Sequence, residues 1–268
     1  MRFTFAYNRE GNVIPPVTPS VSDLVELGIL SKPISKFTNS DIGTEVSIPY
    51  SNEGSGISGP IVFEVVGVNH HTTSEHQKTI TLMTKHIIRK ASFDVPEPNN
   101  TNSQRKNGGN NRWSVSNIRQ WLNSAGATGS WFITQHEYDA APTYASEPGF
   151  LAGFSANVLQ HFTDITNTTN LNNVDGGGTE TTVDKVFLPS YTEMGLTTGE
   201  GSHLSIRYPD ANSRIKSGAD GIYWMRSPYV VMNPHHVGYI NPEGNSPNYV
   251  FFIGASADFG IAPIIVLH

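Results

Sequence analysis

Residues 46–50 and 79–88 alternate apolar or β-branched residues with polar ones, and short apolar runs bounded by turn residues occur at 61–68 and in the last third of the chain. Both patterns predict strands, since successive side chains of a strand point to opposite faces and a fully buried strand is apolar throughout. The predicted strands span residues 46–50, 61–68, 79–88, 222–225, 237–240, 249–253 and 261–267. The last of them is the most hydrophobic, and we expect it to lie in the centre of a sheet.

The middle of the chain carries helix signals instead. After Ser114, apolar residues recur at the spacing of one helix face, at Val115, Ile118, Trp121 and Leu122. A Ser or Thr followed three residues later by Glu is a capping box, which predicts helix starts at Thr134 and Ser190. Residues 150–162 are a further, more apolar helix candidate.

Three polar stretches are predicted to be loops. Residues 69–76 are polar throughout, and residues 96–111 hold six Asn, two Pro and two Gly. Loops of the second kind are uncommon unless they are mobile or carry function. Residues 166–182 are almost entirely Thr, Asn, Asp and Gly, so we expect a surface loop there and a return to strand at 183–188. Strands at both ends with helices between them predict an α+β fold.

The first 45 residues differ from the rest and are predicted to form an extended arm. Phe3, Phe5 and Tyr7 alternate like a short strand, and three prolines follow. Ser20 can cap a short apolar helix carrying Leu24, Leu27 and Leu30. Two alternatives remain open for this helix: it packs on its own domain, or it attaches the protein to a larger assembly. The predicted organisation is therefore an arm or anchor at 1–45 and one domain at 46–268.

Composition excludes several classes of function. The chain has 268 residues, a formal net charge of −6 and no cysteine. Without cysteine there is no disulfide, thiolate nucleophile, zinc–thiolate site or iron–sulfur cluster. No basic cluster is dense enough for nucleic acid or an anionic membrane, and no apolar run approaches the ~20 residues that cross a bilayer. The first ten residues lack a secretion signal, so we expect folding in a cytosol.

We expect structural roles for three tryptophans and two arginines of the chain. Trp113, Trp121 and Trp224 are expected in the core, since each offers a large apolar area and a single donor. Arg119 and Arg226 lie beside them in sequence, and we expect buried ion pairs with carboxylates such as Asp184 or Glu193.

Candidate chemistry is sparse. The motif of a serine hydrolase elbow, G-x-S-x-G, is absent, and so is the metalloprotease motif H-E-x-x-H. Two histidine loops could donate to a metal ion, with His70, His71 and His76 in one and His235 and His236 in the other. Exposed loop histidines without a metal are the default, so we predict no metal ion, no cofactor and no catalytic residue.

Four motifs in order resemble an uncharacterised domain family that is common in phages, prophages and Firmicutes. They are W-S-V-S-N-I-R-Q-W-L-N at 113–123, D-K-V-F-L-P-S at 184–190, W-M-R-S-P at 224–228 and G-I-A-P-I at 260–264. In this family Ala262 is usually arginine, so an ion pair made by that arginine is absent or rerouted here. The pattern is also distantly similar to the C-type lectin-like fold, which implies a mixed sheet with peripheral helices, long loops and a ligand-facing surface on the late strands. Glu97-Pro98-Asn99 matches the calcium-binding tripeptide of mannose-type lectins, but stands at the wrong place in the order of elements.

The resemblance implies a non-enzymatic structural protein of a phage or prophage virion, assembled in the bacterial cytoplasm and exposed as a head decoration or a tail adhesion module. The expected partners are capsid or tail proteins, bound through the arm, and a host surface glycan or protein; a homo-oligomer is also expected. The formylglycine-generating relatives of this fold need cysteines, which this chain lacks. The alternative is a carbohydrate-active hydrolase with two carboxylates about 5–9.5 Å apart. The expected ligand-facing residues are Tyr223, Tyr229, Asn233, His235, His236, Tyr239, Asn241, Asn245 and Tyr249.

Overall fold

Strands dominate the part of the chain that the computed structural model describes, which is residues 22–196, 199–243 and 250–268. The strands are β1 (Glu45–Ile48), β2 (Ile61–Val68), β3 (Ile80–Thr84), β4 (Arg89–Ser92), β5 (Ile165–Asn170), β6 (Thr179–Asp184), β7 (Val186–Phe187), β8 (Tyr223–Pro228), β9 (His236–Ile240), β10 (Val250–Gly254), β11 (Asp258–Ile261) and β12 (Ile264–Leu267). The α-helices are short: α1 (Ser22–Glu26), α2 (Ser103–Gly108), α3 (Asn117–Leu122) and α4 (Ala156–Leu159). The fold is mixed α+β, with more strand than helix.

The first sheet has the order β1-β2-β3-β12-β7, and every neighbouring pair is antiparallel. Ile265 of β12 pairs with Leu82 on one side and with Val186 on the other. All four residues of β12 are buried. The last strand is therefore an interior strand of the sheet, between β3 and the edge strand β7, whereas the strand at the centre is β3.

The second sheet has the order β10-β9-β8-β11-β4, and its β8–β11 pair is parallel. The predicted strand at 261–267 is in fact two strands in different sheets, because Ala262 and Pro263 separate β11 from β12 and proline has no amide hydrogen for a ladder. Where β11 meets β8, a Cβ on Gly260 would lie 2.4 Å from the carbonyl oxygen of Ile222. Only glycine allows this approach.

Residues 166–182 are not a surface loop. Most of them form the antiparallel hairpin β5–β6, with six residue pairs in register. Asn167, Thr169 and Thr182 are buried in it. Polar side chains can be buried when hydrogen bonds satisfy them, which composition alone does not reveal.

The helix predictions were partly wrong. The predicted helix after Ser114 begins later, as α3, and its cap is the side chain of Ser116. No helix begins at Thr134, because the Asp139 carboxylate accepts from the amides of Gln135 and His136 and forms a turn there. Ser190 and Glu193 make the two reciprocal bonds of a capping box, but only a turn follows, because Gly195 has a left-handed φ of 74° that ends the helical conformation.

The apolar segment 150–162 is divided into a 3-10 turn (Phe150–Gly153) and α4. Phe154 between them is extended, and its ring packs on those of Tyr50 and Phe162. Aromatic packing therefore outweighs helix periodicity here.

The described part of the predicted arm packs on the rest of the chain. Leu24, Leu30, Ile34 and Phe37 are buried in the same hydrophobic cluster as the strands of both sheets, whereas Leu27 is exposed. This is the first of the two alternatives for the helix at 22–26. The predicted strand of Phe3, Phe5 and Tyr7 and the Ser20 cap lie outside the described residues, and the boundary at 45 stays a prediction. Among the helices in the described ranges, none has the length and hydrophobicity of a membrane span.

Candidate ligand-binding site

Two ion pairs of the motif arginines connect distant segments of the chain, one from Arg226 in β8 to Glu193 and one from Arg119 in α3 to Asp184 in β6. Arg226 donates from Nη1 to Glu193 Oε2 at 2.7 Å and from Nη2 to Oε1 at 3.0 Å, and both side chains are 1% exposed. Burial raises the pKa of Glu193, but Arg226 and His71 outweigh it and hold that pKa far below its ordinary value. Glu193 is therefore an ionised structural group.

Asp184 forms the second ion pair. Its Oδ1 accepts from Arg119 Nε at 2.7 Å, and its Oδ2 accepts from Trp113 Nε1 at 3.1 Å and from Asn167 Nδ2 at 3.0 Å. Trp113, Trp121 and Trp224 are fully buried. The structure thus places all six residues with an expected structural role in or against the core.

A pocket of about 390 Å³ opens beside α2. Its wall comes from the polar segment around α2, from the loop at 136–138 and from the turn that joins β5 to β6. The residues that line it are Asn100, Thr101, Asn102, Arg105, Asn110, Arg112, Val115, His136, Tyr138, Val174 and Asp175. Its size lies within the range of small-ligand sites.

The cations in this wall are paired. Arg105 makes two bonds to Asp175, at 2.9 Å and 2.5 Å, and the two side chains are only 11% and 10% exposed. Arg112 donates from Nε to Glu180 at 2.8 Å. The pocket therefore holds charged groups without a local excess of positive charge.

Asparagine side chains hold the wall in shape. Asn102 caps α2 by accepting from the amides of Gln104 and Arg105. Asn100 and Asn110 both donate to the buried carboxylate of Glu97. These bonds fix the loop before α2, so the wall is formed before any ligand arrives.

The loop at 229–235, which carries several expected ligand-facing residues, is bonded to this wall. Gln104 donates to Asn233 at 2.9 Å, and Arg105 Nε donates to the carbonyl oxygen of Pro234 at 3.2 Å. The amide of Asn173 donates to the carbonyl oxygen of Val230 at 2.8 Å. Four apolar side chains are exposed on the loop at 229–235 and on the turn that joins β5 to β6: Val174, Val230, Val231 and Met232.

The expected ligand-facing residues do not form one site. The prediction for Tyr223 is wrong. This residue belongs to the inner strand β8, so it is fully buried, and its hydroxyl donates to the carbonyl oxygen of Arg214. Tyr239 is half-buried against the rings of Trp224 and Phe259. The members near the pocket wall are Tyr229, Asn233, His235 and His236, Asn241 lies beyond β9, and Asn245 and Tyr249 lie outside the described residues.

Residue patterns missed the groups that define the pocket, among them Arg105, Arg112, Tyr138 and Asp175. Their only signal was the unusual length and polarity of the loop at 96–111, which marked it for function. Asp175 and Tyr138 approach that loop only through tertiary contacts, so no local spacing reveals them.

The group Glu97, His136 and Asp139 could hold a metal ion by distance, since its ligand atoms lie within 4.8 Å of one another. His136 Nε2 is 3.2 Å from Glu97 Oε1 and 2.6 Å from Asp139 Oδ1. However, Asp139 and Glu97 raise the pKa of His136 to about 10, so the ring is an imidazolium at neutral pH. An imidazolium carries a hydrogen on both ring nitrogens and has no lone pair for a metal ion. The Glu97 carboxylate is thus engaged within the protein.

Neither histidine loop gathers a third ligand in the described ranges. His71 is bonded to Thr81 and Glu193, and His70 to the carbonyl oxygen of Ser202. His76 stacks on His268 with ring centroids 3.6 Å apart. Histidines of one loop therefore serve different neighbours.

Comparison with known proteins gives one family match. Residues 77–268 match the family model described as a domain of unknown function, DUF6273. No curated protein and no solved structure matches the chain. The matched range contains β3 to β12 and the whole pocket.

Proposed function

The chain belongs to the family of the domain of unknown function DUF6273, and from that premise we propose that it is a non-enzymatic structural protein of a phage or prophage particle. It is exposed on the particle surface, as a head decoration protein or as a tail adhesion module. Its mixed α+β domain is a distant C-type lectin-like fold that serves as the scaffold for outward-facing loops.

The observation that carries this proposal is the preformed pocket beside α2 together with the exposed apolar loop that is bonded to α2. Val231 and Met232 are 59% and 61% exposed on a loop that hydrogen bonds fix to the pocket wall. Exposed apolar side chains on a fixed loop are typical of surfaces that bind a partner. This arrangement supports a protein that holds a ligand.

The ion pair of Asp175, a carboxylate that lines the pocket, supports binding over catalysis. A glycoside hydrolase needs one carboxyl that gives a proton and one that receives the sugar or activates water. Asp175 is instead committed to Arg105 through two bonds. The proposal therefore assigns no catalytic residue to this pocket.

The residues that precede α1 are proposed to anchor the protein to capsid or tail proteins, with a homo-oligomer as the assembled form. The apolar side chains of Leu24, Leu30, Ile34 and Phe37 are already buried in the core, so the proposed anchor consists of the residues before them. A net charge of −6 supports partners other than nucleic acid or an anionic membrane. Assembly takes place in the bacterial host cytoplasm.

Mass spectrometry of purified particles tests the proposal. We expect the protein in the particles at a fixed copy number, and we expect a variant without residues 1–20 to fold but to be missing from them. Absence of the full chain from purified particles would contradict the proposal. Incorporation of the shortened chain at the normal copy number would remove the anchor.

A further inference from the structure

We propose that the pocket beside α2 binds a neutral saccharide of the host surface through amide, hydroxyl and aromatic groups, without a metal ion. This inference rests on the proposed function as a surface protein and adds the site and the class of ligand.

The charge state of the wall selects a neutral ligand. Arg105 forms a largely buried ion pair with Asp175, and Arg112 forms an ion pair with Glu180. His136 faces two carboxylates. A phosphate or a carboxylate would meet cations whose charge internal carboxylates already balance, whereas a neutral ligand needs no excess positive charge.

Several polar groups in the wall are available for hydroxyl groups. Asn102 uses its carbonyl oxygen as a cap, and its amide hydrogens reach no other described residue. The hydroxyls of Thr101 and Tyr138 also form no hydrogen bond within the described ranges, and both line the pocket. These groups supply donors and acceptors of the kind that sugar hydroxyls require.

Apolar surface stands beside these groups. The Tyr138 ring, Val115 and Val174 line the same pocket. An aromatic ring with a polar tip can pack on the C–H face of a sugar and bond to its edge. Mixed apolar and polar lining of this kind is typical of small-ligand sites.

The wall is also rigid in a way that lowers the cost of binding. The Tyr138 ring packs edge to face on the His136 ring, with centroids 6.4 Å apart, and α2 is fixed by Asn102 and by the bond from Arg105 to Pro234. Side chains that are already ordered lose little conformational freedom when a ligand binds.

The test uses the purified full chain on an array of bacterial surface saccharides that has neutral and acidic members. We expect binding to the neutral members. Neither EDTA nor about 0.5 M salt, roughly three times the physiological ionic strength, should change the affinity. Tyr138→Ala and Asn102→Asp should each weaken binding about tenfold, since each removes one good contact. Asn102→Asp keeps the cap acceptor and removes the amide donors. Lys106→Ala, on the exposed side of α2 outside the pocket, should bind like the wild type.

Three results would overturn the inference: no binding to any saccharide, binding confined to acidic members, or binding lost in EDTA. Full affinity in both pocket variants would overturn it as well. Circular dichroism of each variant separates lost contacts from lost folding. Particle mass spectrometry is scored separately, so a protein found in particles that binds no saccharide refutes only this inference, and a saccharide binder missing from particles refutes only the proposed location.

Discussion

Charged residues in this protein differ sharply in burial, and therefore in how much their removal should lower the stability of the fold. The pair Arg226 and Glu193 is almost fully buried, whereas the pair Lys90 and Asp220 has side chains 43% and 71% exposed. Removing one partner of a buried pair leaves a charge without compensation, while an exposed charge is rescued by water. Stability should therefore respond very differently to the two.

We expect Arg226→Met to lower the free energy of unfolding by about 3–5 kcal/mol, because Glu193 would remain buried without its guanidinium partner. Urea denaturation measures this change. Lys90→Met serves as the matched control and should shift stability by less than about 1 kcal/mol. Equal effects of the two substitutions would contradict the prediction.

Lys216 gives a prediction with a pH signature. Its side chain is buried, its Nζ donates to the carbonyl oxygen of Thr84 at 2.6 Å, and burial lowers its pKa from 10.5 to about 7. Between these values the unfolded chain binds a proton that the folded chain does not. Stability should therefore rise with pH in this interval, by about 1.4 kcal/mol per unit from this group.

Lys216→Met removes the titrating group, so the stability difference between wild type and variant should change with pH between about 7 and 10.5. Urea denaturation at several pH values tests this. Lys106→Met, at an exposed position, is the control, and its difference from wild type should show a smaller dependence on pH. A constant difference for Lys216→Met across the interval would refute the prediction.

At the scale of elements, one carboxylate connects three separate segments. Asp184 at the end of β6 binds Arg119 in α3, Trp113 before it and Asn167 in β5. The hairpin β5–β6 is rich in Thr and Asn, and a two-stranded hairpin alone is only marginally stable. Its order therefore depends on this attachment.

We expect Asp184→Ala to increase amide hydrogen exchange along β5 and β6 well above its effect on β3 and β12, because the hairpin loses its bonds to α3. Asp164→Ala is the control, since Asp164 lies next to the hairpin but is 57% exposed and pairs with Lys185. Uniform loss of protection across both sheets would instead mean that Asp184 supports the whole core.

The elements show how far sequence reasoning reached. Apolar patterning located β1, β2, β3 and β12, because the apolar side chains of these strands lie in the core. The hairpin was missed because its buried residues are polar. Asn167 and Thr182 donate to Asp184, which also binds Trp113 and Arg119 from a distant segment of the chain. The helix at Thr134 failed because a nearby aspartate competes for the same amides.

At the scale of the whole molecule, one hydrophobic cluster contains residues from α1 to β12. β12 pairs with β3 and β7 in one sheet, and β11, just before it, pairs with β4 and β8 in the other. The last ten residues therefore connect both sheets, and the described parts should unfold together.

Ile265→Ala should lower the free energy of unfolding by about 2–5 kcal/mol and keep a single transition, because Ile265 is fully buried between β3 and β7. Tryptophan fluorescence and far-ultraviolet circular dichroism should report the same midpoint. Val183→Ala, at a position 61% exposed, is the control and should change the midpoint little. Two separate transitions would show that the sheets fold independently.

The sequence by itself determined the α+β class, the inner position of the last strand, the burial of the tryptophans and the pairing of Arg119 and Arg226 with carboxylates. These follow from local periodicity and from the cost of burying a charge alone. Only the tertiary structure decided that a Thr- and Asn-rich stretch is a hairpin, that Tyr223 is inside, and that Arg105, Tyr138 and Asp175 share a pocket. Those outcomes depend on groups far apart along the chain, whose hydrogen bonds and ion pairs exist only once the core has brought them together.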